Sequence, residues 1–141
     1  MDQTLKAQLE GSAIDAPTFS DPPGWFFVFM ENEEMLKELL SLLEAEEEAE
    51  AAVFVFARRD DWPSLVDACG ALARMKESAL RLGRDLCMHA RLTMFLKAPS
   101  SEAMRTAFGV KEGYECVLAC LIKPAEPKER ELHWDVFSSI Q

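Results

Sequence analysis

Four cysteines, Cys69, Cys87, Cys116 and Cys120, and two histidines, His89 and His133, are the side chains of this sequence best suited to metal ligation or nucleophilic attack. Their spacing supports neither. Zinc sites draw thiolates from close Cys-x-x-Cys pairs and imidazoles at short spacing, and no two cysteines stand that way. A serine nucleophile would want a Gly-x-Ser-x-Gly elbow, and backbone phosphate cradles need the glycine patterns of dinucleotide-binding or P-loop proteins. Neither occurs. Cys116 and Cys120 share a parity within one apolar run, which on a strand predicts one face and a separation of about 13 Å. That is too far for a disulfide. All four cysteines are expected to be buried, reduced thiols acting as small apolar residues. His89, between Met88 and Ala90, reads as structural, and His133 beside Trp134 reads as a stacking or interface residue. Types and spacing alone therefore identify no catalytic residue, and no metal is expected.

The bulk properties narrow the classes further. A chain of 141 residues with 49% apolar side chains is long enough for one domain with its own core. A net charge of −10 repels nucleic-acid phosphates and anionic lipids. Basic residues concentrate only at Arg58-Arg59 and in residues 123–130. No apolar run approaches the roughly 20 residues of a membrane span, and nothing marks a signal peptide. A cytoplasmic protein with no nucleic-acid or membrane partner is the expectation.

The elements that must position any site follow from periodicity. Residues 4–10 predict a short helix ending near Gly11. Residues 12–24 form a loop stiffened by Pro17, Pro22 and Pro23. It delivers the chain into Trp25-Phe26-Phe27-Val28-Phe29-Met30, which lacks polar alternation and predicts a strand buried on both faces. Asn32 is placed to cap a helix carrying Met35, Leu36, Leu39, Leu40, Leu42 and Leu43 at three-and-four spacing. The glutamate-rich run at residues 44–50 reads as a solvated helix end and loop rather than an acidic docking patch. Residues 52–57 predict a second buried strand. A long helix over residues 63–82 follows, starting at Pro63 and stopping at Gly83. Its apolar face is expected to comprise Leu65, Val66, Cys69, Leu72, Ala73, Met75, Ala79 and Leu80, with Gly70 inside it. Residues 86–96 fit either a strand or an irregular core segment. A helix from Pro99 to about Phe108, a turn and a strand at residues 116–122 complete the order. The tail, residues 131–141, holds Leu132, Trp134, Val136, Phe137 and Ile140 and is expected to dock on the domain or on a partner subunit. Alternating strands and helices predict a single domain over residues 1–141, with a central sheet covered by helices.

Three stretches resemble the flavin-dependent nitroreductases. Ala16-Pro17-Thr18-Phe19-Ser20-Asp21-Pro22-Pro23-Gly24-Trp25-Phe26-Phe27 is similar to that family's A-P-S-x-x-N-x-Q-P-W-x-F. The long helix ending in Arg81-Leu82-Gly83, followed by Leu86-Cys87, resembles its central helix and G-L-G-x-x-W exit. Residues 107–119, A-F-G-V-K-E-G-Y-E-C-V-L-A, resemble its L-G-I-P-E-G-Y-E-V-V-A, with Lys123-Pro124-Ala125-Glu126 after them. The resemblance implies an α+β fold with a mostly antiparallel sheet, an intertwined homodimer with exchanged C-terminal segments, and flavin mononucleotide (FMN) at the dimer interface. The implied reaction is two-electron reduction by NAD(P)H through the flavin.

The departures from that pattern fall on the cofactor. The family's arginine-rich phosphate motif has no counterpart before Ala16, where Lys6 is the sole basic residue. The family's Asn is Asp21 and its Gln is Pro23, which has no side-chain hydrogen bond to give. Arg81 stands where a small glycine is usual. Thr18, Asp21, Pro23, Arg81, Gly83, Arg84, Lys128 and Arg130 are thus the candidate cofactor-binding positions, the four cations as replacement phosphate partners. Two readings follow. In one, the FMN site is degenerate and the protein is a dimeric binding or scaffold module, clasped by Trp134 and Phe137 of the tail. In the other, a remodelled site serves an FMN-dependent NAD(P)H oxidoreductase. A hetero-complex whose second chain provides the missing arginines is a third arrangement.

Overall fold

The computed structural model describes residues 1–45 and 47–126. The expected tail contacts of Trp134 and Phe137, and the candidates Lys128 and Arg130, lie outside the described residues. Nine principal elements follow one another: α1 (Gln3–Ile14), β1 (Trp25–Met30), α2 (Glu33–Leu42), β2 (Ala51–Arg58), α3 (Trp62–Arg81), β3 (Arg84–Met88), α4 (Ala90–Lys97), α5 (Glu102–Ala107) and β4 (Tyr114–Pro124). A single 3₁₀ turn, Pro99–Ser101, leads into α5. The four strands form one antiparallel sheet in the order β1-β2-β4-β3. An α+β architecture with a helix-flanked antiparallel sheet is therefore what the chain adopts.

β2 sits at the centre and is buried from Ala51 to Ala57. Its alternating side chains supply two cores. Val53 and Val55 face α1 and α3, together with Leu5, Leu9, Ala68, Ala71 and Met75. Phe54 and Phe56 face α2 and α4, with Leu36, Leu40, Leu92 and Leu96. Full burial of each of these phenylalanines contributes roughly 1.5–3 kcal/mol. β1 is different. Among the described residues it pairs only with β2, so Trp25 to Phe29 are half-buried and Met30 is the one residue of the strand fully enclosed. The expectation of a strand buried on both faces fails because β1 is the edge of the described sheet.

Several local expectations are corrected in the same way. α1 does not end at Gly11 but runs through it to Ile14, because burial of Leu5, Leu9 and Ala13 against the α3 side outweighs one glycine's propensity. Its start is capped by Asp2, whose carboxylate accepts from Thr4 N at 2.8 Å. Asn32 caps α2 as expected, accepting from Met35 N at 3.1 Å. Residues 86–96 are neither strand nor irregular throughout. β3 ends at Met88, and His89 caps a helix, α4, whose Leu92 and Leu96 enter the core.

α3 presents the largest revision of a face. Of its expected apolar set only Met75 and Ala79 are buried; the buried side is otherwise Ser64, Asp67, Ala68, Ala71 and Ser78. Small side chains let α3 lie close to α1 and the sheet. Trp62 (73% exposed), Val66, Cys69 and Leu80 face outward instead.

The cysteines follow from the register. A β-bulge lies between Val55 and Phe56, with Cys116 opposite Phe56 and Leu118 opposite Val55. The extra residue, Val117, inverts the parity of β4. Cys116 therefore enters the α2/α4 core and Cys120 the α1/α3 core, on opposite faces rather than one. Both are buried, but Cys69 is exposed and Cys87 half-buried, against the expectation that all four are enclosed.

Candidate functional site

The loop of residues 15–24 joins α1 to β1 and carries Thr18, Asp21 and Pro23, all exposed. Its shape is fixed from below. Asp67, on the inner face of α3 and 2% exposed, accepts hydrogen bonds from Phe19 N (2.6 Å), Ser20 N (2.9 Å) and the Ser20 hydroxyl. Burial raises this carboxyl's pKa, but the three hydrogen bonds outweigh it and hold the group below the ordinary aspartate value. The loop's exit is fixed by Gly24. Its carbonyl accepts from Arg58 N at 2.8 Å, and a Cβ there would come within 2.1 Å of Ser64 Oγ. Only a residue without a side chain lets the loop close against the start of α3.

Between the end of α1, this loop and β1 lies an open apolar cleft of about 380 Å³, lined by Ile14, Thr18, Pro23, Trp25, Phe26 and Phe27. Trp25 and Phe27 stack with centroids 5.8 Å apart. Among the described residues the buried indole Nε1 of Trp25 has no hydrogen-bond partner. Among the described residues no cationic side chain lines the cleft. The guanidinium placed beside the loop is that of Arg58, near Gly24, and Asp61 draws it off at 3.5 Å.

Arg81, Gly83 and Arg84 stand elsewhere. Gly83 takes the left-handed conformation (φ +75°) that ends α3. Fourteen residues of helix separate Asp67 from Arg81, about 21 Å at 1.5 Å per residue. Within one chain the two groups of candidates are thus not brought together. Arg81 is ion-paired with Glu77 on its own helix, and Arg84 with Glu50. Lys6, the basic residue of α1, is paired with Glu31 at 2.8 Å.

Asp67 and Arg58 are what the motif comparison missed at the loop. The signal for Asp67 was a carboxylate between Val66 and Ala68, at a position where a helix turns inward. The thiols offer little chemistry. Burial pushes Cys116 up to about 11 and Cys120 up to about 12, so neither is a thiolate at neutral pH. Among the described residues no cluster of three or more His, Cys, Asp or Glu could hold a metal ion, and no helix is long and apolar enough to cross a membrane.

Neither a protein-family model nor a curated protein matches the sequence. Solved structures do match the fold. A nitroreductase from Bacteroides fragilis with bound FMN superimposes with a TM-score of 0.79 at 19% identity, over 94% of this chain and 84% of that one. The fold is that of the nitroreductases. A nitroreductase from Desulfitobacterium hafniense, also with bound FMN, gives 0.74 at 20% identity, over 92% and 81% of the two chains. An FMN-dependent nitroreductase from Clostridium difficile gives 0.71 at 15% identity, over 96% and 86%. FMN is the cofactor named for each of these three structures. The described candidates do not fit its phosphate: Arg81 and Arg84 are each ion-paired with a glutamate of the same chain, Asp21 adds negative charge, and Pro23 donates nothing.

Proposed function

We propose that this protein is a dimeric binding or scaffold module built on the nitroreductase fold, with a degenerate FMN site. One observation carries the reading: Arg81 and Arg84 are spent on Glu77 and Glu50, and Arg81 lies about 21 Å along α3 from Asp67, which holds the loop bearing Thr18, Asp21 and Pro23. A dianionic phosphate needs fixed positive donors. Each charged hydrogen bond lost costs roughly 1.5–3 kcal/mol, so the loss of two moves a micromolar site to about the millimolar range or weaker. The cleft at the loop, walled by Trp25, Phe26 and Phe27, is left for a ligand without phosphate.

A homodimer is part of this proposal. The outward face of α3 carries Trp62, Val66, Cys69, Ala73 and Leu80 at three-and-four spacing, and β1 is an apolar edge strand. Both are surfaces that a second copy would cover. The deciding experiment is titration of FMN with the purified protein, each at roughly 10 µM, where a micromolar site would be mostly filled. Unchanged flavin fluorescence is the expected result. Quenching with a yellow, flavin-retaining protein would instead establish the oxidoreductase reading, with the candidate cations released from their glutamates.

A further inference from the structure

His89 joins two parts of the molecule that nothing in the nitroreductase comparison connects to a ligand. The imidazole is almost enclosed, with a side-chain exposure of 10%. Its Nδ1 accepts from Leu92 N at 3.0 Å, which makes it the N-cap of α4. Its Nε2 lies 2.9 Å from Glu47 Oε2, in the acidic segment between α2 and β2. These two contacts assign the tautomer. A nitrogen that accepts from a backbone N–H carries a lone pair, so the neutral ring's one proton sits on Nε2, the nitrogen beside Glu47.

The site that remains for a second proton is then Nδ1. An N–H there faces the Leu92 N–H, donor against donor, at the positive end of a helix. The bond to Glu47 responds in the opposite sense, because a charged imidazolium donates to a carboxylate more strongly than a neutral ring does. We propose that His89 is a proton-operated joint: neutral, it holds both the Leu92 N–H of α4 and the acidic segment; protonated, it holds the acidic segment alone and lets the Leu92 N–H go.

The surrounding charges fit this division. Lys123 of β4 bonds the other carboxylate oxygen of Glu47 at 3.2 Å, so the glutamate stays anchored whichever form the ring takes. Glu50 of the same segment is paired with Arg84 of β3, and its backbone N–H donates to Ile122 O at 3.1 Å. Arg91, on the first turn of α4, reaches Leu43 O (3.0 Å) and Glu44 O (3.3 Å) and is the charged side chain that moves if that turn loosens. Further along, Thr93 ties α4 to β4: its hydroxyl donates to His89 O and accepts from Ala119 N at 2.9 Å. Thr93 N also donates to His89 O (3.0 Å) and His89 N to Ala119 O (2.9 Å), so the cap backbone stays tied and release is confined to the Leu92 N–H contact. The first turn of α4 helps to wall an apolar groove of about 440 Å³ between Leu43, Ala90, Arg91, Met94 and Phe95, so the joint couples pH to the shape of this groove.

NMR of the full chain between pH 8 and pH 5, the range in which imidazoles ordinarily titrate, tests the proposal. Ring nitrogen shifts report the tautomer and its protonation, and amide exchange reports the two ties. Protonation is expected to lower the protection of Leu92 about tenfold beyond the change in intrinsic exchange rate, the size of a lost helix cap, while Glu50 N–H stays protected. His89→Asn, a cap that does not titrate, keeps Leu92 protected at both ends of the range. A ring that protonates with Leu92 unchanged, a ring that stays neutral throughout, or loss of Glu50 protection together with Leu92 would each overturn the proposal; all three are read in the wild-type protein.

Discussion

Asp67 is one carboxylate on which a whole loop rests. Two backbone N–H groups and a hydroxyl converge on it at the base of the candidate cleft. Because its folded-state pKa lies below the ordinary value, the stabilisation it supplies is fully present above the unfolded-chain value of about 4 and is lost as pH falls through the folded value. Asp67→Asn keeps one acceptor but turns an amide N–H toward backbone donors. We expect a loss of about 2–3 kcal/mol near neutral pH. The gap between variant and wild type, followed by urea unfolding, should narrow below about pH 4 and stay flat above about pH 5. A gap independent of pH throughout would mean that the charge contributes nothing. The cysteines make the opposite point at this scale: Cys116 and Cys120 are core residues whose raised pKa removes them from chemistry.

At the scale of elements, the loop's exit and the start of α3 form a single tight contact. Gly24→Ala puts a methyl group into Ser64 Oγ and crowds Arg58. The expected cost is about 1–3 kcal/mol. Because Ser64 is the blocking group, Gly24→Ala/Ser64→Gly should be less destabilised than the sum of its single variants by about 1 kcal/mol, read from a double-mutant cycle in denaturant. Strict additivity would show that the two positions do not touch. The acidic run between α2 and β2 is also decided at this level. Glu44, Glu47 and Glu48 are exposed, as expected of a solvated segment, while Glu47 is also paired with Lys123 of β4 and His89, and Glu50 with Arg84 of β3.

For the whole molecule, the proposed homodimer turns on which surface would meet a second copy. α3 turns small residues inward and large apolar ones outward, which leaves Trp62, Val66 and Leu80 for a partner. Val66→Lys places a charge in that stripe, and light scattering should show the proposed dimer shifted toward monomer with the circular dichroism of the fold retained. Trp134→Ala/Phe137→Ala tests the tail in the same assay. An unchanged mass in both would leave neither surface as the clasp. Gly70 adds a discriminating readout, since nothing within 4 Å would meet a Cβ there in the single chain. Gly70→Ala should raise stability by about 1 kcal/mol if that face is open, and lower it if another helix packs against it.

The sequence by itself determined the order of helices and strands, the caps and stops at Asn32 and Gly83, the buried central strand and the resemblance that pointed to the nitroreductase fold. Those are local matters, set by side-chain period and by backbone preference within a few residues. It did not determine which strand lies at the edge, because Trp25-Phe26-Phe27-Val28-Phe29-Met30 and Ala51–Arg58 look equally apolar until pairing leaves β1 with one neighbour. Nor did it determine the face of Cys120, which one bulged residue in β4 inverts, or the inward side of α3, where close packing against α1 and the sheet selects alanine and serine over leucine. The candidate site was decided the same way. Residue types nominated Arg81 and Arg84 for a phosphate, but only the tertiary structure shows their charges met by glutamates at the far end of a long helix, while Asp67 and Arg58 stand at the loop. Charge pairing and packing depend on contacts between segments distant in the chain, and no local pattern encodes them.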